Sequence, residues 1–432
     1  MENLTKNFLL LSTGDVNGAY EAIYKLSFFL KNQGFQVVMV VKNKSKSDNF
    51  IVEYKVEQPI IKNLLVRLFE KIKYRFINSK QEPKIIFDSK YNFLSIDETN
   101  PTISAKLLLD QIGFTPDFIF TGMTTNFINS TDLLAIQQLT KARVYNITVD
   151  MNHFTGGCHY AWNCDGYIKG CDDKCPAILS EFGKQTAKIN FDTKLKNAQL
   201  GNFNCIAMSE WTLQQIKRSK IYKNQLTSLN INSIIDTSVL NNKSRAYAKD
   251  VFNLDNEKFY VLMGCQDARD PRKGFEYLLE ALIILEKNLT LAQKEKIEIL
   301  IVSRSISDSY TEIPFSKKHI DYIKDYRLLS LLYQAADVFV NSSIEDSGPM
   351  MVSEALACGT PVVGFNMGVV SNMVINNYNG YRAILADSQD LSKGIKTILE
   401  LSSEEYNQYS LNAVSQVKKE SSLEMILNLD LS

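Results

Sequence analysis

Residues 341–361, Asn-Ser-Ser-Ile-Glu-Asp-Ser-Gly-Pro-Met-Met-Val-Ser-Glu-Ala-Leu-Ala-Cys-Gly-Thr-Pro, constrain this chain more than any other stretch. Before them, Val338-Phe339-Val340 is a short apolar run rich in β-branched residues and reads as a buried strand. Ser347 can cap a helix, Gly348 opens the turn, and Pro349 suits a first helical position ahead of Met350 and Met351. Gly359 can end that helix, and Pro361 prevents its continuation. Val362–Phe365 reads as the next strand. The segment therefore predicts a strand–helix–strand unit of a parallel sheet. Two carboxylates, Asp346 and Glu354, flank the helix start, eight residues apart. A helix N-terminus attracts anions through its unpaired N–H groups. Carboxylates beside it suit the hydroxyls of a ribose or a hexose. The pattern points to a ligand that is part phosphate and part polyol, such as a nucleotide-sugar. Any doubly wound unit with a proline-started helix would share the local signal, so its weight depends on other motifs agreeing with it.

At 432 residues the chain is too long for one typical domain. Two βαβ-type starts stand out. The first is the strand Phe8–Ser12, then the turn Thr13-Gly14-Asp15-Val16-Asn17-Gly18. A helix follows, with Ala22, Ile23, Leu26 and Leu30 on one face; Gly34 ends it before a strand at Gln36–Val41. The second is Phe259–Met263, a polar loop from Gly264 to Lys273, a helix carrying Phe275, Leu278, Leu282 and Leu285, and the strand Ile297–Val302. Alternating strands and helices with glycine turns predict an α/β fold of two Rossmann-like, doubly wound domains. We expect an N-terminal domain over 1–230 and a C-terminal domain over 231–402. The Asn- and Ser-rich stretch 228–242 would connect them, and a final helix from 403 would pack back on the first domain. In such sheets ligands bind outside the carboxyl ends of the strands. The loops 14–18, 264–273 and 346–350 would then line one cleft between facing domains. A glycine loop such as Gly14–Gly18 is by itself more often a tight turn without a ligand.

The chain carries 48 basic and 48 acidic residues, and a net charge of zero argues against broad nucleic-acid binding. No run approaches the ~20 apolar residues that span a bilayer. The apolar run Phe8–Leu11 is too short for a signal peptide, so a cytoplasmic location is expected. The seven cysteines are then expected to be reduced unless they hold a metal.

Residues 341–361 resemble the Glu-x7-Glu signature of the family 4 retaining glycosyltransferases, also called glycosyl transferases group 1, which have the GT-B fold. Asp346 stands where the family has its first Glu, with Glu345 one step upstream, and Glu354 matches the second. Cys358-Gly359-Thr360-Pro361-Val362-Val363 and Asn379-Gly380-Tyr381 match as well. The resemblance implies transfer of a sugar from a UDP- or GDP-sugar to a glycan or lipid-linked acceptor in bacterial surface polysaccharide synthesis. It implies no cofactor for catalysis. Lys273, in Asp270-Pro271-Arg272-Lys273-Gly274, matches the family's diphosphate lysine. The companion arginine some five residues earlier is not matched, and Arg269 or Arg272 would substitute. Cations there would stabilise the charge that develops on the leaving diphosphate. The run Asp150-Met151-Asn152-His153-Phe154-Thr155-Gly156-Gly157-Cys158-His159-Tyr160 resembles a loop of one bacterial subgroup, except that Val149 replaces its leading His. Asp150 is a candidate catalytic residue, and Asp150, His153, His159 and Tyr160 are candidate acceptor contacts. A carboxylate near an acceptor hydroxyl assists its deprotonation; the plainer reading of Asp150 is a loop cap. Departures from the family pattern leave two alternatives: an inactive GT-B binding protein and a GT-B sugar-nucleotide epimerase.

Two features lie outside that resemblance. Cys158, Cys164, Cys171 and Cys175 fall within eighteen residues, a candidate structural zinc site that would staple the loop. A thiol cluster or redox-sensitive disulfides are the alternatives. Cys205, Cys265 and Cys358 sit in apolar contexts and read as buried small hydrophobes. Residues 62–84 hold seven basic and two acidic side chains. Leu65, Leu68, Phe69, Ile72 and Phe76 recur there at helical spacing. Such a helix can lie on an anionic membrane as a peripheral contact, or simply pack on the core with a solvated face.

Overall fold

The computed structural model describes residues 6–16, 18–56, 84–224, 228–230, 235–264, 267, 269–304 and 308–420. Thirteen strands among them form two sheets. The first takes β1 (Asn7–Gly14), β2 (Gln36–Asn43), β3 (Ile51–Glu53), β4 (Phe118–Thr121), β5 (Arg143–Thr148), β6 (Asn204–Ala207) and β7 (Ser228–Asn230), in the order β3-β2-β1-β4-β5-β6-β7. The second takes β8 (Phe259–Gly264), β9 (Ile297–Ser303), β10 (Ser316–Asp321), β11 (Val338–Asn341), β12 (Val362–Phe365) and β13 (Gly380–Ala383), in the order β10-β9-β8-β11-β12-β13. Pairing is parallel, with Leu9 opposite Val38 and Ile119, and Val261 opposite Ile299 and Val338. Both orders place the first strand of the unit mid-sheet with a reversal beside it, the doubly wound arrangement expected from the two βαβ starts. The central strands are continuously apolar because helices cover both faces; Phe8–Leu11 and Tyr260–Leu262 are almost wholly buried.

The chain divides into two compact units, residues 1–146 with 152–203, and residues 147–151 with 204–432. This differs from a boundary near residue 230. Ser228–Asn230 form no linker: Cys205, Ile206 and Ala207 of β6 pair with Ser228, Leu229 and Asn230 of β7. The segment after β6 joins the second unit through buried contacts, since Ser209 Oγ and Thr212 Oγ1 both donate to the Ser347 carbonyl, at 2.6 and 3.1 Å.

The final described helix, Ser403–Glu420, also departs from expectation. Ala413 and Val417 are buried in the second unit's own core with Val352, Leu356 and Met373. Tyr406 O–H donates to the Asp337 carbonyl at 3.0 Å, and its oxygen accepts from Arg245 at 2.6 Å. The helix is thus a covering layer of the second unit. Residues 421–432, the basic stretch 62–83, Asn17 and Cys265 lie outside the described residues.

Candidate functional site

The helix Met350–Ala357 starts where the sequence places it but is capped differently. Pro349 is its N-cap, without a side-chain cap. Ser347 is wholly buried, and its Oγ has no hydrogen-bond partner among the described residues. The turn ahead of the helix is held instead by Asp346, whose Oδ1 accepts from Gly348 N–H at 3.2 Å. At the far end Gly359 takes φ +73°, as a helix stop requires.

Two loops of the second unit converge at this helix start. The loop after β8 ends in a short 3-10 turn, Pro271–Lys273, capped by Asp270 accepting from Arg272 N–H at 3.1 Å. It is clamped to the segment after β11: Ile344 N–H donates to Arg272 O, and Ser342 Oγ donates to Lys273 O, both at 2.8 Å. Gly274 makes the clamp possible. Its φ is +59°, and a Cβ there would stand 2.1 Å from the Ser342 carbonyl oxygen. Lys273 Nζ consequently reaches Asp346 Oδ2, at 2.5 Å.

Burial pushes the Asp346 carboxyl up. Lys273, with help from Arg272 and Gly348 N–H, more than offsets this and holds it below the ordinary aspartate value. Asp346 is therefore the ionised partner of the lysine expected at the diphosphate. Glu345 is buried beside it. Of the two substitute arginines, Arg272 is nearly covered and paired with Asp270, while Arg269 is largely exposed and paired with Asp267. The Arg269 fork is held by that local surface carboxylate. Glu354 is buried, and its Oε2 accepts from Tyr333 O–H at 3.0 Å.

In the first unit, Gly14 and Gly18 bracket the first turn, with Val16 between them and Gly18 at φ +47°. The wholly buried Asp15 fixes that loop by accepting from Ser45 and Lys46 N–H at 2.9 Å each. This residue carries no signal in the motif, because its partners lie thirty residues on.

The loop expected to meet the acceptor is divided. Asp150 counts with the second unit and is buried; His153, His159 and Tyr160 belong to the first. His153 Nε2–H donates to the Gly122 carbonyl at 2.9 Å. The buried His159 ring meets Thr125 Oγ1 at 3.3 Å. The loop is tied down by Lys194, which donates to Asn152 O at 2.8 Å and pairs with the buried Glu98 at 3.4 Å.

The four cysteines after this loop do come together. Cys158, Cys164, Cys171 and Cys175 pack in one cluster with Phe93 and Ala177 and are unbridged. A Cβ on Gly166 would lie 3.2 Å from Cys171 Sγ and 3.4 Å from Cys164 Sγ. Among the described residues, however, no three His, Cys, Asp or Glu side chains are arranged to hold a metal ion. Cys158 and Cys175 are hydrogen-bonded to each other, which draws Cys175 down to about 7 and, with burial, pushes Cys158 well up. In this structure the four thiols share one buried cluster, with Cys158 and Cys175 in contact. Cys205 and Cys358 are buried, as their contexts predict.

Two parallel sheets covered by helices, in two units, are the architecture of the GT-B fold. Residues 248–416 match the family described as glycosyl transferases group 1. Over those residues, most of the second unit, the chain is similar to that family. It is 27% identical over 137 residues to an uncharacterized glycosyltransferase of Haemophilus influenzae, covering 29% of this chain and 36% of that one. It is 29% identical over 248 residues to an uncharacterized glycosyltransferase of Methanocaldococcus jannaschii, covering 56% and 64%. The matches thus span about a third and just under two thirds of those relatives' own lengths. Among solved structures, a glycosyltransferase from Rickettsia africae superposes with a TM-score of 0.61 at 15% identity, over 99% of this chain and 97% of that one. The Anabaena protein HepE in complex with UDP and glucose superposes with a TM-score of 0.61 at 14% identity, over 98% and 97%. At these identities the superpositions establish the fold alone.

Proposed function

We propose that the protein is a retaining, metal-independent glycosyltransferase. It moves a hexose from a nucleotide-sugar to a glycan or lipid-linked acceptor of a bacterial surface polysaccharide, working in the cytoplasm or on the inner face of the plasma membrane. The observation that carries the reading is the Lys273–Asp346 pair at the start of the helix Met350–Ala357, with Glu354 one turn in. In this reading the diphosphate meets Lys273, Arg272 and the helix N-terminus, and Glu354 accepts from the ribose hydroxyls. The sugar C1–O bond breaks, its electron pair passes to the diphosphate, and the cations stabilise that charge. The acceptor oxygen bonds to C1 from the same face and its proton leaves with the diphosphate. HepE is seen with UDP and glucose, which favours UDP as the first nucleotide to try. His153, His159 and Tyr160, in the first unit, are the proposed acceptor-side residues, with Asp150 beside the reacting hydroxyl.

The test is incubation of purified protein with UDP-, GDP- and ADP-sugars and a lipid-linked glycan acceptor, with the anomeric configuration of the product read by NMR. Transfer with retention is the expected result. Tight nucleotide-sugar binding with neither transfer nor hydrolysis would favour the inactive binding protein. Inversion at a sugar ring carbon without transfer would favour the epimerase.

A further inference from the structure

We infer that Tyr333 is the positioning residue for the Glu354 carboxylate, and through it a determinant of nucleoside affinity. The inference rests on the reading of Glu354 as the ribose ligand. Tyr333 lies outside the 341–361 segment, on the helix Tyr326–Ala335. It is wholly buried and held from both sides. Its ring packs edge-on against Phe339 of β11, with centroids 5.9 Å apart and planes at 89°. Its backbone carbonyl accepts from Thr360 Oγ1 at 2.5 Å. Thr360 follows Gly359, the stop of the very helix that carries Glu354. From this fixed seat the hydroxyl donates to Glu354 Oε2 at 3.0 Å.

The donor role is secure across the working pH range. Burial first, and then the Glu354 charge, push the phenol well above its ordinary value of 10, so it keeps its proton. Glu354 is itself 4% exposed. A glutamate left to its three side-chain torsions would meet a pair of adjacent hydroxyls in many orientations. A rigid buried donor on one oxygen selects the plane of the carboxylate before the ligand arrives, which removes an ordering cost from binding.

Tyr333→Phe keeps the ring and removes only the hydroxyl. The measurement is calorimetric affinity for whichever of UDP and GDP the wild type binds, and for inorganic pyrophosphate, which has no ribose. Losing one hydrogen bond to a charged group predicts about tenfold weaker nucleotide binding. Pyrophosphate affinity should be unchanged. In a Glu354→Gln background the tyrosine change should add little, because the two act as a unit. If Glu354→Gln weakens the nucleotide but Tyr333→Phe does not, Tyr333 is only a core residue and the inference falls alone. If Tyr333→Phe weakens nucleotide and pyrophosphate equally, the effect is a general disturbance and the inference also falls. If Glu354→Gln leaves the nucleotide affinity intact, Glu354 is not the ribose ligand and both readings fall.

Discussion

Replacing Lys273 by Met tests the site most directly, because it removes one charge and keeps most of the stem. Two consequences follow, one for stability and one for turnover. Lys273 Nζ lies 2.5 Å from Asp346 Oδ2, with the lysine side chain 28% exposed and the aspartate side chain 13% exposed. Removing one partner of a fully buried pair costs about 3–5 kcal/mol. The lysine is partly solvated, and Arg272 and Gly348 N–H remain near Asp346. The estimate therefore falls to roughly 2 kcal/mol, near the value of one hydrogen bond to a charged group. The sign with pH can be worked out. Asp346 has a folded value below the ordinary 3.8, so its contribution is present above 3.8 and lost as pH falls through the folded value. In Lys273→Met burial meets less opposition and the carboxyl moves up. The stability difference should thus be full near pH 7 and shrink toward pH 3. Urea unfolding at several pH values measures it. A pH-independent difference, or none, would refute the pairing. For turnover, losing a cation at a developing oxyanion costs on the order of 10²–10³. Affinity for the free nucleoside should hardly change. Turnover equal to wild type would return Lys273 to a solvated basic loop.

Three further outcomes are expected. On the proposed mechanism, in which Lys273, Arg272 and the helix start take the place of a metal, transfer should persist in EDTA; a strict magnesium or manganese requirement would contradict that mechanism, and stability lost to chelation and restored by zinc alone would make the four cysteines a structural metal site. Cys175, drawn down to about 7 by Cys158, should be the first of the cluster alkylated by iodoacetamide, with a rate that climbs as pH rises through 7 and the thiolate forms; peptide mapping that finds Cys164 or Cys171 modified first would be against it. Neutralising Arg67, Lys71 and Arg75 together should lower partitioning onto anionic vesicles by roughly two orders of magnitude, at about 1 kcal/mol per charge, and should spare a soluble acceptor analogue. Unchanged partitioning and activity would make that stretch an ordinary solvated face.

The parts of the fold legible in the sequence are those built from local chemistry. β11, the helix after it and β12 can be read off because apolar runs, Pro349, Gly359 and Pro361 all act within a few residues of where they stand. The two Rossmann-like sheets follow from the same periodicities. The misread parts depend on partners far along the chain. Ser228-Leu229-Asn230 has the composition of a linker and becomes a strand only because β6 offers it a ladder. Ser347 looks like a cap, but its carbonyl is claimed by Ser209 and Thr212, and Pro349 takes the N-cap position. Helix Ser403–Glu420 shows its apolar positions in sequence but not the surface they meet. Tyr333 gives no sign, twenty-one residues before Glu354, that its hydroxyl ends on that carboxylate.

The Lys273–Asp346 pair is set by the backbone on both sides. Gly274 admits the Ser342 carbonyl to a point that any Cβ would occupy, Ser342 Oγ then holds Lys273 O, and Arg272 O is held by Ile344 N–H. The loop is drawn onto the segment that carries Asp346, and the ion pair closes. A side chain at residue 274 would push this loop away from Ser342, whatever residue stood at 346. Gly274 therefore sets the position of Lys273 against Asp346.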